Sequence, residues 1–187
     1  MTTLPEGYKA MERVDLIKDE KKMTQIIVIL LVVAAVAVVI GLPFAPFGGI
    51  LAFGNLSSLT GLFIFLLIYI IFIFIHELIH IIFMKIFSPA KVTYGISWSY
   101  AYAGSEGYFT KRQHMVVGLS PVVVIGAFLL VLTIVLPMEL FWTIHIWQVI
   151  NLSSAAGDFF MANYLRKQPS DMLIQDDGPA MTIFHRA

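Results

Sequence analysis

A glutamate lies between two histidines in His76-Glu77-Leu78-Ile79-His80, inside a stretch that is almost unbroken apolar sequence from Thr60 to Phe87. On a helix the two imidazoles stand one turn apart on one face. They can both ligate zinc, and the glutamate between them can act as general base on a zinc-activated water. Ionisable side chains are expensive in a lipid-like setting and mark function by default. A packed histidine accounts for one such residue, not for two with a glutamate between them.

A catalytic zinc takes three protein ligands and keeps one position open for water. The chain has no cysteine, so any further ligand must be His, Asp or Glu. Within the apolar segments the only carboxylates are Glu77 and Asp158, which makes Asp158 the candidate third ligand beside His76 and His80. Depth supports this choice. His80 precedes Phe87 by roughly 10 Å of helix and Asp158 precedes Arg166 by roughly 12 Å, at about 1.5 Å per residue. His145 lies roughly 20 Å along the helix from Asp158 by the same rise and reads as a packing or interface residue. His114 is an alternative fourth ligand or a partner to one of the ligands, and His185 reads as a solvated tail residue. Iron or cobalt could use the same donors, but two histidines, a carboxylate and an open position form a usual set for hydrolytic zinc. One Zn2+ per chain is expected.

The elements that must hold these residues are membrane helices. Of 187 residues, 59% are hydrophobic and 13% charged, and mean hydropathy is +0.87. The expected fold is all-α and polytopic, a single membrane-embedded domain over residues 1–187. Four transmembrane helices are expected, at 24–42, 60–87, 114–136 and 140–165. The fourth is interrupted by polar residues, and a three-span alternative lays it in the interface. All twelve Lys and Arg fall before the first span, around the loop between the second and third, or after the fourth. The positive-inside rule then puts both termini and that loop in the cytoplasm, which requires an even number of spans. Residues 1–23 read as a cytoplasmic amphipathic helix lying against the membrane, without the pattern of a cleavable signal peptide. Residues 166–187 read as a cytoplasmic tail. A net charge of zero gives no basic patch for nucleic acid.

Between the second and third spans, Val92 to Ala103 alternates bulky and small side chains, a strand signal. Gly104-Ser105-Glu106-Gly107 reads as a turn, and Tyr108 to Thr110 as the returning strand of a small cytoplasmic-side β-hairpin. It would plug the mouth of the bundle or offer an edge to an extended peptide. In the fourth span, Asn151, Ser154 and Asp158 share a helical face. Asn151 is a candidate substrate-binding residue, for a carbonyl or a developing oxyanion. The alternative is a hydrogen-bonding contact between helices. Gly118 and Pro121 in the third span read as a close approach and a kink.

Taken together, HELIH on a spanning helix, the strand-like loop and a later helix carrying Asp158 resemble the site-2 protease type of intramembrane zinc metalloprotease. More closely, the chain resembles a bacterial family of short four-span membrane proteins regarded as zincin peptidases. That resemblance rests on LPEGYKAMERVDLIKDEKK, HELIH, Leu119-Ser120-Pro121, NLSSAAGD from Asn151 to Asp158, and DDGP near the C-terminus. It departs from site-2 proteases in placing Gly157 before Asp158, with no proline between Asn151 and Asp158. The resemblance implies His76, His80 and Asp158 as ligands and Glu77 as base. The function expected is that of a zinc metalloendopeptidase of the plasma membrane that hydrolyses peptide bonds of a membrane protein or peptide substrate in or near the bilayer. The alternative is a non-catalytic metal-binding membrane scaffold or protease-like regulatory protein.

Overall fold

The computed structural model describes residues 1–16, 18–44, 59–96 and 101–186. Strand β1 (Tyr8–Asp15) precedes helix α1 (Glu20–Gly41), and helix α2 (Leu59–Phe87) leads to strands β2 (Val92–Ile96) and β3 (Ala101–Thr110). Helix α3 (Lys111–Val135) and a 3-10 turn (Met138–Leu140) precede helices α4 (Phe141–Ser154) and α5 (Ala156–Arg166). Strands β4 (Leu173–Asp176) and β5 (Ala180–Arg186) follow.

The fold is therefore mixed α/β, not all-α with four spans. Five strands form one antiparallel sheet in the order β1-β5-β4-β3-β2. The segments expected as a membrane-lying helix and a free tail are strands instead. Tyr8 to Asp15 pairs along β5, and β4 joins β5 to β3. Neither end has an alternating apolar pattern strong enough to declare itself. Their strand state comes from cross-strand partners and burial rather than local preference. Val14, Met172, Ile174, Met181 and Ile183 pack against Met161 and Leu165 of α5, so the sheet closes over one end of the helices.

The hairpin exists, but its expected turn does not. Gly104 to Gly107 runs inside β3, and residues 97–100, which include Trp98 and Tyr100, lie outside the described residues. The glycines serve close backbone approach. A Cβ on Gly104 would lie 2.5 Å from the Asp177 carbonyl carbon, and one on Gly107 would lie 2.5 Å from Ser88 Oγ. The register against β4 shifts between Ser105 and Tyr108, a bulge that absorbs this stretch.

Three helices, α1, α2 and α3, are long and apolar enough to cross a membrane. Their outer faces carry exposed side chains such as Leu31, Phe63 and Ile134, which suit lipid rather than water. Asp19 caps α1 by accepting from the Lys21 and Lys22 amides, and the Lys22 side chain holds its carboxyl below its ordinary pKa. Thr110 and Gln113 form a capping box at the start of α3.

The segment expected as a fourth span is two helices broken at Ala155 (φ −82°, ψ 14°). Ser153 Oγ donates to the Val149 carbonyl and Ser154 Oγ to that of Asn151, at 2.7 and 3.1 Å. Such back-bonding bends helices. Because strands from before α1, between α2 and α3, and after α5 share one sheet, both ends of the described chain lie on one side of the helical layer.

Candidate metal centre

Helix α2 brings His76 and His80 to its buried side, with ring centroids 5.0 Å apart. The break at Ala155 places Asp158 in the first turn of α5, where the helix dipole favours a carboxylate. Asp158 then meets both rings. His76 Nε2 lies 3.5 Å from Oδ2, and His80 Nε2 lies 3.7 Å from Oδ1. One donor atom from each of the three lies within 4.8 Å of the others. These separations are long for hydrogen bonds. They lie near the edges of a tetrahedron with arms of about 2.0–2.2 Å, which run to about 3.3–3.6 Å, with the His76–Asp158 separation inside that range and the His80–Asp158 separation just beyond it. The three donors are a group that could close on a zinc-sized ion.

Helix α3 fixes one of the candidate ligands. Pro121 has no N–H, so the Val117 carbonyl one turn earlier loses its helical donor. His80 Nδ1–H donates to that carbonyl at 2.9 Å, and Ser120 Oγ–H donates to it at 2.7 Å. This holds the His80 tautomer with Nε2 directed to the metal side, the usual arrangement for a ligating imidazole. Pro121 is thus more than a kink. It creates the acceptor that orients the His80 ring. Gly118, one residue on, faces Asp158, whose Oδ1 a Cβ there would meet at 3.7 Å, an ordinary contact.

A cavity of about 210 Å³ opens on these groups and is lined by His76, Glu77, His80 and Asp158. Glu77 is half-buried on the same helix. The sheet and the start of α3 also line it, through Tyr102, His114 and Asp176 among others. His114 Nε2–H donates to Asp176 Oδ2 at 2.8 Å, so this histidine pairs with a carboxylate of β4. Asp176 was not singled out from sequence. The readable signal was Asp177-Gly178 between two apolar runs, a hairpin turn in which Gly178 takes φ +93°.

The remaining sequence candidates lie elsewhere. Asn151 is fully buried between α3 and α4, where its Nδ2 donates to the Val122 carbonyl at 3.2 Å, and it does not line the cavity. His145 is a packing residue. Its Nε2–H donates to the Ala37 carbonyl at 2.8 Å and its ring stacks on Phe141. His185 sits in β5 opposite Lys9 rather than in a tail.

The model of the family described as "Putative zincin peptidase" matches residues 69–173, more than half of the chain. The matched region contains HELIH, the β2–β3 hairpin, α3 and Asp158. No curated protein and no solved structure gives a match.

Proposed function

The chain belongs to that zincin family, and from this premise we propose that it is a membrane-embedded zinc peptidase cutting peptide bonds in or beside the bilayer. The observation that carries the proposal is the meeting of His76, His80 and Asp158 from two helices in one cavity that Glu77 also lines. Zinc held by these three residues would polarise the scissile carbonyl and acidify a water molecule.

The chain's own groups do the rest. Glu77 takes the proton of the attacking water and passes it to the leaving amine. Val117 keeps the His80 ring in position through the exchange. The apolar walls of α2 and α3 raise the strength of every charge interaction inside the cavity. The substrate is a membrane protein or peptide, admitted from the sheet side. The basic residues cluster at that end of the helices, which supports a cytoplasmic side for it by the positive-inside rule. A non-catalytic metal scaffold has no use for Glu77.

The test is Glu77→Gln in the full-length protein in detergent or lipid. About one zinc per chain is expected in both proteins, with cleavage of a membrane peptide by the wild type alone. Equal cleavage by both, or no zinc in the wild type, contradicts the proposal.

A further inference from the structure

The cavity has two ionisable walls. One is the candidate metal centre. The other is His114 with Asp176, both buried and hydrogen-bonded at 2.8 Å. Asp176 is held from a second side, because its Oδ1 accepts the Gly178 N–H at 2.8 Å. An Asx turn needs that one oxygen. The second oxygen is spent on the imidazole, and burying an ion-pairing carboxylate and a histidine together is costly unless something uses them.

Their placement on α3 is specific. His114, Val117 and Gly118 are spaced three and four residues apart and so share one helical face. Val117 holds His80 and Gly118 sits opposite Asp158. His114 therefore stands one turn before Val117 on the same face, roughly 4.5 Å along the axis, and lines the same cavity as His76, His80 and Asp158.

We infer that His114, oriented by Asp176, is a catalytic residue that donates a hydrogen bond to the carbonyl oxygen of the scissile peptide as that oxygen gains negative charge. This rests on the peptidase function proposed above and adds the group that binds the substrate's oxyanion. Proton and bond balance are unchanged by it. Water oxygen bonds to the carbonyl carbon, Glu77 carries one water proton to the amide nitrogen, and the C–N bond breaks. With Nε2–H committed to Asp176, donation to the substrate falls to Nδ1 and requires the ring to be an imidazolium with both nitrogens protonated, whose charge the Asp176 carboxylate would balance.

The role that Asn151 was expected to fill on sequence grounds passes to His114. A purely structural pair, tying β4 to α3, is the competing explanation and makes different numbers.

The experiment uses zinc-loaded full-length protein, the near-isosteric His114→Gln and Asp176→Asn variants, and two probes. A small hydroxamate tests the metal and Glu77. A short phosphinic pseudopeptide with apolar flanks mimics the tetrahedral oxyanion. Both variants are expected to keep zinc and wild-type hydroxamate affinity. Phosphinate affinity should fall about 100-fold in His114→Gln, with kcat down about 10²–10³ and KM little changed, in the range for one oxyanion donor. Asp176→Asn should show a smaller loss of the same kind. Equal phosphinate affinity in wild type and His114→Gln, or no phosphinate binding to a wild type that binds hydroxamate, overturns the inference. Loss of zinc or of hydroxamate affinity in the variants also overturns it, in favour of a structural role. A wild type that binds zinc but neither hydroxamate nor substrate overturns the peptidase function itself.

Discussion

His80 and His145 each donate a ring N–H to the carbonyl of a neighbouring helix, at 2.9 Å to Val117 and 2.8 Å to Ala37. Beyond that bond their surroundings diverge. Across from His80 Nε2 stands Asp158, and His76 stands one turn away. Around His145 stand the Phe141 and Trp142 rings and Gly41, which lets α1 close on the imidazole. A histidine bonded to a helix carbonyl is therefore a common cross-link. The carboxylate facing its other nitrogen makes it a candidate metal ligand. The carbonyls differ as well. Val117 is available because Pro121 removes its helical donor.

The comparison is broken most severely by exchanging which histidine is removed. His80→Ala should lower zinc affinity by more than about 100-fold, beyond the range seen for partners of ligands. His145→Ala should leave it unchanged. Zinc titration of both proteins by calorimetry or competition with a chelating dye checks this, and similar losses would erase the distinction. Pro121→Ala sharpens it. The alanine N–H would return to the Val117 carbonyl and compete with His80, and zinc affinity should fall about 10–100-fold while the helix is retained by circular dichroism. Unchanged affinity would show that the Val117 bond does not hold the ring. Gly41→Ala has the smallest expected effect on the metal and acts on the other contact. Its Cβ would lie 2.6 Å from the His145 ring, so the ring must move. A loss of about 1–3 kcal/mol is expected from such overpacking, read as a lower thermal midpoint, with zinc stoichiometry intact.

The metal-side residues were legible because lipid-like surroundings make polar groups conspicuous. His76, Glu77, His80 and Asp158 stand alone in apolar segments, and helical rise sets their depth. The sheet was largely illegible. Lys9 to Arg13 has no alternating apolar pattern, with Ala10 and Met11 adjacent between charged residues, and becomes a strand by pairing with β5, a partner more than 160 residues away. Such long-range pairing leaves no local period to read. Gly104 and Gly107 suggested a turn because glycine marks turns and tight strand packing alike. The missed Asp176 followed from the missed sheet. Without β4 at the cavity, His114 had no visible partner. The break at Ala155 was foreshadowed by Ser153 and Ser154, whose hydroxyls take carbonyls of their own helix.

The most direct test of the metal centre is the zinc content of purified Asp158→Ala against wild type, by mass spectrometry after dialysis without chelator. About one zinc per chain in the wild type and little or none in the variant is the expected result for a three-ligand site. Equal zinc in the two proteins would contradict it.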